Sequence, residues 1–471
     1  MLQLEAISKD EVEAIHQGTL RILSEVGIFI THPQARQTLA EANCIMQEKR
    51  VRIAPELVEW AVAQCPPRVT VRDRAGEPLT LGDGNLHWHN LGGARDFYEP
   101  ASGKIRPAFV KDVQDSTRLL DALENVDSVT PFFTPQDVPG ELMSLAMYRH
   151  TLPFTTKPVQ GPGVGSATEV RYAVNMAAVI GPPREVLTLG ISPVSPLFFP
   201  DNMVSAVLET ARAGVPLTPL PCPTSGTTAP MSIAGAVTQQ NAEVLATIVL
   251  AQLTNPGLPI VYCGRLAMME PRTGASIWGG VELGLASAAT VQIGHRYSLP
   301  VNVYGLSTNA HVLDLQNGYE RALNAIIPAL AGADELSGIG EMQAGISSSF
   351  AQMVIDNEIA ASVKRLRRGF KVDADSLAVD VIAEAMEGPR NFLSQSHTRR
   401  YLRAGEIFIT KLAQRSPWEE WDRSGRPGME TQAHKQAESL LARHEVQPLE
   451  KAQVNELDAI MKAAEQELVR A

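Results

Sequence analysis

The loop Ser307-Thr308-Asn309-Ala310-His311 follows a short apolar run, Val301, Val303 and Tyr304, closed by Gly305, and precedes a helical pattern opening near Gln316. Where strands alternate with helices, the residues just past a strand's C-terminal end face the chemistry. Comparable segments are Thr156-Lys157-Pro158, Ser192-Pro193-Val194-Ser195-Pro196, Pro223 to Thr228, Gly264-Arg265 and Gly340-Glu341-Met342-Gln343. They are small, rich in hydroxyls and poor in charge. Six aromatics, Trp88, Tyr98, Tyr262, Trp278, Tyr304 and Phe350, are candidates for the wall of one cavity. Aromatic faces attract a quaternary ammonium by about 0.5–2 kcal/mol for a well-placed ring, although aromatics of this kind more often fill a core. His87 and His89 alternate onto one strand face. They form a candidate metal pair without a third ligand nearby, and such a pair more often marks a polar face beside a site.

Several chemistries lack their motifs. No Gly-x-Gly-x-x-Gly opens a helix after the first strand, and there is no Gly-Lys-Ser/Thr phosphate loop, so nucleotide chemistry is disfavoured. No Gly-x-Ser-x-Gly elbow is present, and no cysteine sits in a recognisable nucleophile context.

The elements that must position these residues follow from periodicity. Ser8 with Glu11 is a capping-box pattern, and Val12, Ile15, Leu20, Leu23 and Val26 predict a helix to about Gly27. Helices at 33–42 and 55–64 follow, and Cys65-Pro66-Pro67 ends this part. Residues 68–111 read as short strands and turns. From Asp112 onward, strand-like runs at 126–133, 157–160, 186–194, 215–221, 259–264, 300–305 and 335–340 alternate with helical windows near 168–180, 201–213, 229–253, 280–297, 316–331 and 350–368. A weakly apolar eighth run lies at 391–395, after a helix at about 375–387. This alternation predicts an α/β fold, a (βα)8 TIM barrel over 112–400, with an N-terminal helical and short-strand addition at 1–111 and a C-terminal helical extension at 401–471. In that extension Leu449, Val454, Leu457, Ile460 and Leu468 form an apolar stripe fitted to the barrel or to a second subunit.

Composition limits the partners. The chain of 471 residues carries 41 Lys and Arg against 52 Asp and Glu, a formal charge of −11, with no basic stripe long enough to track phosphates, so nucleic acid is disfavoured. The four cysteines, Cys44, Cys65, Cys222 and Cys263, are widely separated, which suits a reducing cytoplasm. The N-terminus is acidic and amphipathic, unlike a secretion signal, and the apolar stretches are about half the roughly 20 residues of a membrane span. Helical additions at both ends favour a homo-oligomer, either a dimer or a larger ring.

Several segments recur in one order along the chain: Leu23-Ser-Glu-Val-Gly-Ile28, Thr134-Pro-Gln-Asp-Val-Pro139, Ser195-Pro-Leu197, Thr228-Ala-Pro230 with Ala234-Gly235, Gln240-Asn-Ala-Glu-Val-Leu245 and Asp314-Leu-Gln-Asn-Gly-Tyr-Glu320. Later come Ile355-Asp-Asn-Glu-Ile359, Asn391-Phe-Leu393 with His397-Thr398, and the Trp418 segment. Through them the chain bears, across nearly its whole length, a resemblance to the trimethylamine methyltransferase family, in the broad sense that includes members without pyrrolysine. The resemblance implies a (βα)8 barrel that moves a methyl group from an amine to the Co(I) of a corrinoid (cobalamin-type) cofactor, carried by a separate corrinoid protein or supplied free.

Counting back from Asp314, the position that pyrrolysine occupies in the trimethylamine enzymes proper is Leu306 here. A tertiary amine needs to be made cationic before it gives up a methyl group, whereas a quaternary amine already carries the charge. The chain is therefore similar to the betaine-demethylating branch, whose substrates include glycine betaine, proline betaine and carnitine. It departs from that branch too. Leu306 stands where glycine is common, and Asn309-Ala310-His311 replaces an Asp-Ser-Lys, changes expected to shrink and neutralise the pocket. Within this resemblance Tyr98, Tyr262 and Phe350 are candidates for the cage, Arg265, Asn309 and His311 for a substrate carboxylate, and Glu341 for negative charge near the ammonium. The plainer alternatives are an Arg265–Glu270 pair and a loop cap at Glu341. No residue is required as a covalent nucleophile and no metal ligand is assigned. Zinc activation through His87 and His89, and a barrel that binds a quaternary ammonium without turnover, are the competing readings.

Overall fold

The computed structural model describes residues 3–100, 102–161, 163–388 and 390–469. Helix Lys9–Arg21 starts where expected. Ser8 Oγ accepts from the Glu11 amide, and the Glu11 carboxylate takes the Ser8 amide in return at 2.7 Å. A π-helical turn, Ile22–Val26, carries the chain to Gly27 at φ +78°, where a Cβ would meet Val51 O at 2.5 Å. Helices Pro33–Glu41 and Pro55–Gln64 both open on proline, whose missing N–H costs nothing in a first turn.

The centre of the fold is a set of parallel strands with helices between them. One ladder joins Val159–Gly161, Leu187–Ile191 and Leu217–Pro219. A second joins Tyr262–Gly264, Val301–Tyr304, Glu335–Ile339 and His87–Asn90. Isolated parallel bridges link the ladders, Leu217 to Ile260 on one side, and His89 to Ser128 and Val129 to Val159 on the other. Helices Ala167–Ile180, Asp201–Ala213, Ile233–Thr254, Val281–Arg296, Leu315–Leu330 and Phe350–Arg368 occupy the six predicted windows. The strands are buried on both faces, which is why they read as apolar runs without alternation.

Two expectations are corrected. The run at 126–133 makes isolated bridges at Ser128, Val129 and Phe133 in place of a regular strand, and the run at 391–395 is a turn between helices. The additional strand is His87–Asn90, expected among the N-terminal additions, which pairs in parallel with Glu335–Ile339. Its residues are polar or aromatic, so no apolar run announces it, yet Trp88, His89 and Asn90 are buried by their tertiary neighbours.

The C-terminal helices Met429–Arg443 and Lys451–Leu468 pack on this chain's own helices. Leu457 is fully buried, Arg149 pairs with Asp458 at 2.7 Å, and Gln453 Nε2 donates to Val179 O at 2.8 Å. Among the described residues no helix is long and apolar enough to cross a membrane.

Candidate active site at the strand C-termini

A cavity of about 220 Å³ opens at the C-terminal ends of the central strands. Its wall takes side chains from every part of the sheet, including His89, Thr130, Gln160, Thr218, Arg265, Asn302, Tyr304 and Ser337, with Cys222 from a loop. Asn302 is the hub. Its Nδ2 donates to His89 Nε2 at 2.9 Å and to Glu335 Oε2, while its Oδ1 accepts from Arg265 Nη2. Glu335 also accepts from Gln160 Nε2 at 2.6 Å and from Ser128 Oγ at 3.2 Å. This buried carboxylate is therefore satisfied, as a buried charge must be. His89 Nε2 acts as acceptor here, so its proton sits on Nδ1 and is donated to Asn90 O at 2.7 Å. Burial holds the His89 pKa below the ordinary histidine value, which keeps the ring neutral.

Arg265 lies 4.4 Å over the Tyr304 ring, and Trp278 meets that ring edge-on at 5.0 Å. Although the residue is only 5% exposed, Arg265 Nη1 has no hydrogen-bond partner among the described residues. Ser337 Oγ, also on the cavity wall, is likewise without one. Leaving a buried polar nitrogen unpaired costs about 1–3 kcal/mol, more for a charged group, and carboxylates are the natural acceptors of a guanidinium. The Cys222 thiol is open to the cavity but crowded by protein, and burial pushes its pKa up to about 12.

Buried acids on the following helices brace the loops around this cavity. Glu243 accepts from Ser195 Oγ at 2.7 Å and Leu197 N at 2.9 Å. Glu320 accepts from Thr308 Oγ1 at 2.6 Å and Asn309 N at 2.9 Å. Asp356 accepts from Gly340 N at 2.7 Å and pairs at 2.9 Å with Arg321, whose Nη1 also donates to Leu306 O at 2.7 Å. The two loops also touch directly, since Ala344 N donates to Thr308 O at 2.8 Å. Gly340, at φ +86°, admits no Cβ because Phe132 would stand 2.7 Å from it.

The residues singled out from sequence fall in different places. Arg265 is on the cavity wall and does not pair with Glu270, which instead holds Arg272 at 2.7 Å. Glu341 is buried, and Ser307 Oγ donates to it at 3.1 Å. Burial, opposed by Arg321, pushes its pKa up to about 8, so the carboxyl is largely protonated at neutral pH. Asn309 ties its loop to the segment ahead of helix Val281–Arg296, with Oδ1 accepting from Trp278 N and Gly279 N at 2.7 Å and Nδ2 donating to Ser276 O at 3.1 Å. His311 is exposed. Leu306 is fully buried in the hydrophobic core and is not on the cavity wall.

The proposed aromatic cage is not brought together. Tyr262 faces the helices, donating to Asn241 Oδ1 at 2.8 Å and packing 5.9 Å from Tyr297. Tyr98 lies in the outer strand Asp96–Glu99, paired with Ile105. Phe350 packs 4.8 Å from Phe97, within a group that includes Phe133 and Phe132. Trp88 is fully buried away from the cavity wall. Of the six aromatics, Tyr304 lines the cavity and Trp278 backs it.

The two histidines of the candidate metal pair have separate partners, His87 lying near Asp127 and Asp83 while His89 meets Asn302. Among the described residues no group of three or more His, Cys, Asp or Glu side chains is arranged to hold a metal ion. Asn302, Gln160 and Ser337 were not singled out from sequence. The available signal was a polar residue inside an otherwise apolar strand, as in Pro300-Val-Asn-Val-Tyr304.

Comparison with known proteins agrees along the entire chain. The family model for trimethylamine methyltransferase (MTTB) matches residues 1–469. Trimethylamine methyltransferase MttB of Methanosarcina barkeri is 30% identical, over 98% of this chain and 96% of that protein. A glycine betaine methyltransferase of Desulfitobacterium hafniense strain Y51 is 29% identical, over 93% of this chain and 92% of that protein. The solved structure of the Methanosarcina barkeri monomethylamine methyltransferase MtmB shares the fold, with a TM-score of 0.53 at 13% identity over 98% of this chain and 92% of that one. With a matching model and relatives that span it almost end to end, this chain belongs to the trimethylamine methyltransferase family.

Proposed function

We propose that this chain moves a methyl group from a small quaternary amine bearing a carboxylate, with glycine betaine as the test case, to the Co(I) of a corrinoid protein docked over the mouth of a (βα)8 barrel. In this reading the two strand ladders and their linking bridges act as one closed ring of eight strands, and the 220 Å³ cavity is its active site. The volume is below the roughly 300–1,000 Å³ of pockets for drug-sized ligands, as suits a small amine.

The observation that carries the reading is the unpartnered Nη1 of buried Arg265 on the cavity wall. A substrate carboxylate would complete it, and the anchored end would fix the direction in which the ammonium points. Arg265 already covers a face of Tyr304, so the anionic end of the substrate belongs on that side. The braced loops keep the surrounding groups in place, and the cavity excludes bulk water from the methyl group, so positioning is what this chain supplies. The corrinoid, held by its own protein, supplies the cobalt nucleophile. Exposed apolar residues stand on the segments just past the strand ends, among them Val194, Met231, Leu315, Tyr319 and Ile346, and they suit a docking partner. With Leu306 in the core, the reaction uses no side-chain adduct at that position.

The test is a visible-spectrum assay with reduced corrinoid and a panel of glycine betaine, proline betaine, carnitine, choline and trimethylamine. Loss of the cob(I)alamin band with a carboxylated quaternary amine, and not with trimethylamine, is the expected outcome. Silence across the panel with active corrinoid would overturn it.

A further inference from the structure

Helix Phe350–Arg368 ends at Gly369, the residues that follow are mostly exposed, and Arg365 and Arg368 then reach the carbonyls of Glu406, Ala404 and Gly405. Among the described residues of 370–403, Ala385 alone is buried. The excursion nevertheless carries large apolar side chains in the open. Phe370, Val379, Ile382, Met386, Leu393 and Leu402 are 48–86% exposed. Val379, Ile382 and Met386 recur at i, i+3 and i+7, one stripe of the helix Val379–Glu387. A helix of that length is not stable in water without something packed on it.

The charges of this segment are divided. Residues 373–387 hold five acidic side chains and no Lys or Arg, whereas residues 388–405 hold four arginines and no Asp or Glu. Arg400 with Asp375 is the ion pair made between the halves. Asp380, Glu384, Arg390, Arg399 and Arg403 make none among the described residues.

We propose that residues 370–405 are an arm that joins two copies of this chain about a two-fold axis, the acidic half of one arm lying against the basic half of the other. A two-fold interface sets residue i against j and j against i, so its surface must complement itself. An arm that is acidic at one end, basic at the other and apolar in both halves meets that condition.

Sedimentation velocity of the full chain at micromolar concentration in about 0.15 M salt tests the proposal. The unaltered chain is expected to sediment as a dimer or an even multiple of it. Ile382→Asp with Met386→Asp should yield a monomer whose far-ultraviolet circular dichroism is otherwise preserved. Arg399→Glu with Arg403→Glu should weaken association at least tenfold, and adding Asp380→Arg with Glu384→Arg to that variant should restore it. The restoration separates a charge match from simple misfolding of the arm. A monomeric unaltered chain, an oligomer indifferent to these changes, or a fourfold charge reversal that fails to restore association would overturn the proposal. A monomer whose arm instead takes up the corrinoid protein would overturn it as well.

Discussion

Replacing Arg265 by methionine separates carboxylate recognition from packing. The stem keeps its apolar contacts, while the guanidinium over Tyr304, its bond to Asn302 Oδ1 and the open Nη1 are all lost. A charge-assisted hydrogen bond to a ligand carboxylate contributes about 1.5–3 kcal/mol, which is roughly a 10- to 150-fold change in affinity. Titration calorimetry with glycine betaine should therefore show Kd rising by about that factor. Choline, which has the same ammonium head and no carboxylate, should bind Arg265→Met within about threefold of the unaltered chain. The effect on stability is expected to be small, because losing the Asn302 contact and a cation–π pair of about 0.5–2 kcal/mol is offset by removing an unpaired buried donor. If glycine betaine and choline weaken equally, or if neither changes, Arg265 does not read the carboxylate and the argument from its open nitrogen fails.

Three further perturbations follow from the geometry. Arg321→Ala strands Asp356 in the core beside Gly340, and breaking a fully buried pair of this kind should cost about 3–5 kcal/mol in urea unfolding. Glu341 has an ordinary value of 4.5 raised to about 8, so between those pH values the folded chain keeps a proton that the unfolded chain has released. Its contribution to stability accordingly falls as pH rises through that window, and Glu341→Gln should melt higher than the unaltered chain at pH 9 with little difference at pH 4. A melting-temperature difference independent of pH would contradict the assignment. Leu306→Gly should lower stability by about 2–5 kcal/mol, as for other large deletions in a core, and leave the substrate panel unchanged, because the side chain packs in the core and not on the cavity wall. A new substrate gained by that variant would contradict this placement.

Much of the architecture was legible in the sequence because buried parallel strands and amphipathic helices each leave a strong local signature. The run Val301-Asn-Val-Tyr304, the capping box at Ser8 and the helix-opening prolines act within a few residues of themselves, and all appear where local rules put them. The strand at His87–Asn90 was expected, but its place in the central sheet escaped that reading because it pairs with a strand more than 200 residues away. The site was harder to read for a related reason. Arg265 and Glu341 could be picked out as charges at strand ends, but whether an aromatic faces the cavity or the helices depends on strand orientation. A shift of one residue reverses it, and Tyr262 and Tyr304 illustrate the two outcomes.

By itself, then, the sequence determined the order of strands and helices and membership of a methyltransferase family, since both are carried by local pattern and by matches distributed along the chain. Tertiary structure alone decided that Asn302 ties His89, Glu335 and Arg265 together, that Asn309 is spent on joining its loop to the 276–279 segment, and that one guanidinium nitrogen of Arg265 has no partner among the described residues. These are contacts between residues far apart in the chain, and which polar groups satisfy one another is settled only when burial removes water as the alternative partner.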